Sequence, residues 1–199
     1  MRIVLTGQAA FGAEVLEKLV QKGENVVGAF CPTGGRGDRL KQIADKLGIP
    51  AYQVSSMKSD DVYSRFCQLQ PDLGVMAFVT DIVPGRILSC PALGTIQYHP
   101  SLLPKHRGGS AINWAIIRGD KKPGLSIFWP DEGIDTGPLL VRMESSPDKR
   151  GTLKTTYEQL HREAVFLFGQ YWHRIRDGME SFPQTPADAT SHKKKDRKA

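Results

Sequence analysis

Thr95-Ile96-Gln97-Tyr98-His99 carries a polar residue at every second position before Pro100 stops the run. In an extended strand side chains alternate between faces, so Thr95, Gln97 and His99 share one face and Ile96 and Tyr98 the other. Gln97 and His99 then stand about 6.6 Å apart along the strand, near its carboxyl end. An imidazole there can donate to a developing oxyanion, and an amide can add a second hydrogen bond, which suits carbonyl chemistry. The same histidine could equally cap loop carbonyls at a strand end. A second polar group follows in Asp131-Glu132-Gly133-Ile134-Asp135-Thr136-Gly137. Its carboxylates can orient an imidazole or act as a general base through water, and they equally suit a solvated turn. His99, His106 and Asp135 match no common metal-ligand spacing, and no metal is expected.

The elements that must hold these residues alternate. Arg2–Leu5 reads as a short buried strand ending at Gly7, and Phe11 to Val20 repeats apolar residues at helical spacing. Asn25–Cys31 is a second strand. Pro32–Gly37 reads as a loop, with Asp38 capping a helix through Leu47. Ala51–Val54 is a third strand and Asp60–Leu69 a helix. Leu73–Val79 is almost continuously apolar, as strands covered on both faces are. Beyond the polar strand come a loop over Ser101–Gly109, a helix over Ser110–Ile117, and strands at Leu125–Trp129 and Leu139–Arg142. A long helix spans Thr152–Asp177, with Leu153, Tyr157, Leu160, Ala164, Leu167 and Tyr171 as its apolar stripe. Trp114 and Trp129 read as core residues. Past Gly178 the chain is polar and proline-bearing, like a linker. The alternation predicts an α/β protein.

Several function classes fall away. Gly7-Gln8-Ala9-Ala10-Phe11-Gly12 lacks the GxGxxG pattern, and no Lys-Ser/Thr pair follows Gly12. Neither the dinucleotide fingerprint nor the P-loop is met, so the segment reads as a tight turn and a dinucleotide-dependent enzyme is disfavoured. The 199 residues are 40% hydrophobic and 24% charged, an ordinary globular balance that excludes wholesale disorder. No apolar run reaches membrane-span length, so no membrane partner is expected. Of the net charge of +6, the stretch Lys193–Lys198 supplies +4. A nucleic-acid partner is thus only weakly supported, and Lys105-His106-Arg107 reads either as an anion contact or as a solvated loop. Cys31, Cys67 and Cys90 show no paired spacing, so no disulfide is expected and a reducing cytoplasm is the natural location.

Gly94-Thr-Ile-Gln-Tyr-His-Pro-Ser-Leu-Leu-Pro-Lys-His-Arg-Gly108 resembles the core motif of folate-dependent formyltransferases, and Asp131-Glu-Gly-Ile-Asp-Thr-Gly-Pro-Leu-Leu140 resembles their acidic loop. The 36 positions from His99 to Asp135 agree with that family. Within it, Ser110–Trp114, Gly119–Lys122 and Ser126–Trp129 are most similar to the hydrolase domains of the 10-formyltetrahydrofolate dehydrogenase branch. The methionyl-tRNA formyltransferase branch is more distant. The resemblance implies a Rossmann-like fold with a mostly parallel central sheet and helices on both faces. It implies a catalytic domain over residues 1–180 and a basic linker over 181–199 opening a further region. It also implies 10-formyltetrahydrofolate as formyl donor and an amine, a carrier-bound thiol or water as acceptor. His99 and Asp135 take the family's catalytic positions, and Gln97 stands where Asn is common. Val79, Ile82, Val83, Gly108, Asp131 and Glu132 take positions that contact the substrate, mostly through their backbone. A non-catalytic module that binds folate or RNA is the rival reading.

Overall fold

The computed structural model describes residues 1–120, 122–146 and 152–192. The chain clusters into two compact units that meet in sequence at Gln97 and Tyr98.

In the first unit β1 (Arg2–Gly7), α1 (Ala9–Gln21), β2 (Asn25–Pro32), α2 (Gly35–Lys46), β3 (Ala51–Val54), α3 (Asp60–Gln68) and β4 (Leu73–Ala77) alternate without exception. A short α4 (Gly85–Leu88) then precedes β5 (Thr95–His99), whose last two residues open the second unit. β1 pairs in parallel with β2 and β4, β2 with β3, and β4 with the Thr95–Gln97 part of β5. The strand order β3-β2-β1-β4 reverses direction between β1 and β4. Right-handed crossovers therefore put α1 and α2 on one face and α3 on the other. This is the expected α/β architecture with a mostly parallel sheet. Strands buried on both faces explain the apolar runs, with Ile3, Val4, Leu5, Val75 and Ile96 almost fully covered. One face carries Phe30, Met57, Val62, Phe66, Val83 and Ile87 as a single apolar cluster.

Gly7 and Gly12 are glycines because two backbones meet there. A Cβ on Gly7 would lie 2.7 Å from the Ala77 carbonyl oxygen, and one on Gly12 would lie 3.1 Å from the Gly7 carbonyl carbon. The segment is a structural tight turn. Helix α2 starts three residues earlier than Asp38, which corrects the capping expectation. Gly34, at φ +77°, precedes the helix, and Asp38 lies inside its first turn, where its Oδ1 accepts from Gln53 Nε2 at 3.2 Å. A side chain on Gly37 would collide with the Pro32 carbonyl, so only glycine lets the helix begin so close to β2. β4 stops at Ala77 rather than Val79, because Phe78 turns the backbone to φ +61°.

The expectation of unpaired cysteines is also corrected. Cys67 and Cys90 form a disulfide with Cα atoms 6.1 Å apart, because α4 packs back against α3. Cys31 remains a thiol on β2 at 1% exposure, and burial pushes its pKa from about 9 up to about 11. The folded state thus holds the proton where the unfolded chain gives it up. Stability from this group is complete below about pH 9 and is lost as pH rises towards about 11. Urea unfolding at pH 8.5 and 10.5 is expected to show a fall in midpoint that is smaller in Cys31→Ala. An equal fall in both proteins would contradict the assignment.

The second unit holds β6 (Arg107–Gly108), α5 (Ala111–Ile117), β7 (Gly124–Phe128), β8 (Leu139–Glu144), α6 (Leu153–Arg176) and β9 (Ser191–His192). β7 and β8 are antiparallel and β6 and β9 parallel. Thr152 caps α6 as its sequence suggests, its Oγ1 accepting from the Thr155 N–H at 3.3 Å. The buried face of α6 is rotated from the expected stripe. Leu160, Ala164, Leu167, Phe168, Trp172 and Ile175 are covered, whereas Leu153 and Tyr157 are exposed in the first turn. Tyr157 instead donates its hydroxyl to Asn113 Oδ1 at 2.8 Å. Trp114 and Trp129 are half-buried rather than core, and Trp114 stacks on the His192 ring at 4.4 Å between centroids.

Among the described residues, no helix is long and apolar enough to cross a membrane. Residues 193–199, which hold most of the basic excess, lie outside the described residues.

Candidate active site

β5 ends at His99 because Pro100 cannot donate to a further ladder bond. The loop that follows is braced from below. Ser126, fully buried on β7, donates its hydroxyl to the Ser101 carbonyl at 2.7 Å and accepts from the Leu103 N–H at 3.1 Å. Ser101 Oγ donates to the Lys105 carbonyl at 2.5 Å, and Arg142 donates to the Leu103 carbonyl at 2.9 Å. These bonds hold the loop that carries His106, Arg107 and Gly108.

Against this frame His99 and Asp135 come together. His99 Nδ1 lies 3.4 Å from Asp135 Oδ2, with the two side chains 6% and 11% exposed. The Gly108 N–H donates to the same carboxylate oxygen at 2.7 Å. On the far side of the ring, His99 Nε2 donates to the His106 carbonyl at 2.9 Å. Asp135 reaches this position by adopting φ +54°, a left-handed conformation that Asp tolerates better than most residues. Gly108, at φ +86°, presents its N–H where only a glycine is unstrained. A buried imidazole beside an anchored carboxylate can move protons and stabilise a developing negative charge.

The other expected positions are distributed as follows. Gln97 sits two residues before His99 on the same strand, opposite Met76 of β4, and is half-buried. In the first unit Val79 is half-buried and Ile82 is 69% exposed. Val83 has its side chain in the apolar cluster with Met57 and Ile87, so only its backbone is open to a ligand. These residues leave the carboxyl end of β4, beside the β1–β4 reversal where ligands of open α/β sheets bind. Thr80 in the same loop is held by Gln8 Nε2 at 3.3 Å and by Arg36 at 3.1 Å. In the second unit Asp131 and Glu132 are exposed. Asp131 Oδ1 accepts from the Gly133 N–H at 3.0 Å and from Thr136 Oγ1 at 2.5 Å, so this carboxylate shapes its own turn.

His106 and Arg107 do not offer a free cationic surface. His106 Nε2 lies 2.7 Å from Asp120 Oδ2 and its Nδ1 lies 3.0 Å from His192 Nε2, and both histidines are buried. Arg107 donates through Nε and Nη2 to Gln184 Oε1 at 3.1 and 2.7 Å. Gln184, Thr190 and His192 are the contributors that sequence reasoning did not single out. Thr190 accepts from the Arg107 N–H at 2.8 Å through its carbonyl and from the His106 N–H at 2.8 Å through its hydroxyl. Their segment has no apolar period and bonds through backbone and amide groups, so no local pattern marks it.

A formyl transferase family model matches residues 1–169. The human cytosolic 10-formyltetrahydrofolate dehydrogenase is 42% identical over 96% of this chain, which spans only 22% of that relative. Methionyl-tRNA formyltransferase of Kosmotoga olearia is 37% identical over 84% of the chain and 58% of its own length. Among solved structures, the phosphoribosylglycinamide formyltransferase of Bacillus halodurans superposes with a TM-score of 0.80 at 22% identity, covering 89% of this chain and 96% of that one. The formyltransferase PseJ of Anoxybacillus kamchatkensis, solved with tetrahydrofolate and a formamido sugar nucleotide, gives 0.73 at 24% identity over 100% and 88% of the two chains.

Proposed function

The chain belongs to the formyl transferase family, and from that premise we propose that it releases the formyl group of 10-formyltetrahydrofolate to an amine or thiol acceptor, or to water. The observation that carries the reading is the pairing of His99 with Asp135, whose carboxylate the Gly108 N–H also holds. The name of the 42% identical relative supports the donor. Because the chain spans about a fifth of that relative, its activity is read from its own residues.

In this reading the nucleophile adds to the formyl carbon while the His99 Nδ1–H, the ring donor not bonded to the His106 carbonyl, stabilises the oxygen as it becomes an alkoxide. Asp135 balances the charge on the ring and takes the nucleophile's proton through water. Collapse re-forms the carbonyl, breaks the bond to N10, and the pair returns a proton to that nitrogen. Tetrahydrofolate leaves, together with formate if the acceptor is water. The Gln97 amide is a second donor to the same oxygen. The pterin contacts proposed in the first unit are backbone groups of Val79, Ile82 and Val83, and those proposed in the second are backbone groups of Asp131 and Glu132. None of these steps calls on a metal ion. A cytoplasmic location belongs to the same reading, as the name of the cytosolic relative suggests.

The acceptor is decided by a panel in which the purified protein meets the donor with water alone, charged initiator tRNA, an amino sugar nucleotide, or a phosphopantetheinylated carrier. Tetrahydrofolate should appear above the protein-free blank, and the arm that accelerates it names the acceptor. Equal rates in all arms would assign water. No release in any arm would reject the reading.

A further inference from the structure

Gln184 lies in the stretch after α6 and is only 9% exposed. A carboxamide offers two N–H donors and two acceptor lone pairs, and here all four are used. Its Oε1 accepts both Arg107 bonds at 3.1 and 2.7 Å. Its Nε2 donates to the carbonyls of Asp135 at 2.9 Å and Gly137 at 2.7 Å. One side chain thus ties the loop that ends in Gly108 to the loop that carries Asp135. Asp135 is held at both ends, its carboxylate by the Gly108 N–H and its carbonyl by Gln184. That double hold stabilises an aspartate at φ +54°, a left-handed conformation that a non-glycine residue keeps only when its surroundings fix it. Glutamate has no proton to donate to the two carbonyls, and asparagine is one methylene short of spanning them.

We propose that Gln184 is a positioning residue for formyl release: it touches neither His99 nor substrate, and it sets their chemistry by locking the Arg107–Gly108 and Asp135–Gly137 backbones in register. The inference rests on the function proposed above, so its test has one readout with substrate and one without. Gln184→Met keeps the length and removes the hydrogen bonds, whereas Gln184→Glu keeps the acceptor and removes the donors. Both variants are expected to lower kcat on the order of 100-fold, the scale of a misplaced catalytic group, with KM for 10-formyltetrahydrofolate nearly unchanged. Amide hydrogen exchange at Gly108 should quicken about tenfold or more as the loops separate. Asp188→Ala, exposed on the same stretch, should alter neither. A folded Gln184→Met with wild-type kcat, a loss carried by KM alone, or a loss of kcat with unchanged Gly108 exchange would each overturn the proposal. If the wild-type chain released no formyl group, the functional reading would fail separately. The Gly108 exchange would then still decide whether Gln184 holds the two loops, and unchanged exchange would overturn it.

Discussion

His99→Ala is expected to slow tetrahydrofolate release from 10-formyltetrahydrofolate by about three orders of magnitude. The loss combines one oxyanion donor, worth about 10²–10³ in rate, with a group that moves protons, worth about 10²–10⁴. The substitution also leaves the His106 carbonyl without its 2.9 Å donor. An unsatisfied buried acceptor costs about 1–3 kcal/mol, so rates should be compared below the unfolding transition of the variant. Asp135→Asn separates charge from shape. An asparagine oxygen can still accept from the Gly108 N–H, but it cannot balance a charged ring. Its rate should fall by about two orders of magnitude with little change in melting temperature. Steady-state kinetics and circular dichroism on the same preparations check both, and full turnover in either folded variant would contradict the site.

The second large effect concerns backbone. Gly108→Ala should lower turnover about 100-fold, as a displaced catalytic loop does, and should also lower stability. Its φ of +86° disfavours any side chain, and a Cβ there would collide with the carbonyl oxygen of His192. The pairing of Arg107–Gly108 with Ser191–His192 would have to open, and the N–H that anchors Asp135 would move with it. Gly119→Ala provides the comparison. Gly119 has φ +68° but nothing within 4 Å of a new Cβ. It should therefore show the cost of strain alone, about 1–2 kcal/mol, with normal turnover. Thermal unfolding and kcat measured on both variants separate strain from displacement. Equal, mild effects in the two would show that the β6–β9 contact does not matter to the site.

The parallel half of the fold was legible because burial on both faces writes itself into composition. Leu73–Ala77 can hardly be anything but an inner strand, and β5 matches its expected bounds residue for residue. The pairing of His99 with Asp135 was legible through motif and spacing, with His99 at the end of β5 and Asp135 within the loop between β7 and β8. Boundaries set by unusual backbone were not. Phe78, Ser110 and Asp135 take positive φ without being glycine, and no residue type announces that. The start of α2 was hidden for the opposite reason, because Gly34, Gly35 and Gly37 look like loop until one sees that Gly37 must lack a side chain for the helix to pass the Pro32 carbonyl. The disulfide was invisible because α3–α4 packing, not spacing, unites its cysteines. Hardest to see was the stretch from Phe182 to His192. Phe182 exchanges both backbone bonds with Leu139 at 2.8 and 2.9 Å, and Gln184 and Thr190 bond to loop backbones. None of this leaves an apolar signature, so the composition reads as linker while the bonding places these residues beside the candidate site.

The central claim is that the His99–Asp135 pair releases formyl from 10-formyltetrahydrofolate. The most direct measurement is the absorbance change on mixing that donor with purified wild-type protein and, separately, with folded His99→Ala. Tetrahydrofolate should accumulate with the wild type, in at least one acceptor arm, and stay at the blank rate with the variant. Equal rates from the two proteins, or no release by folded wild type with any acceptor, would contradict the claim.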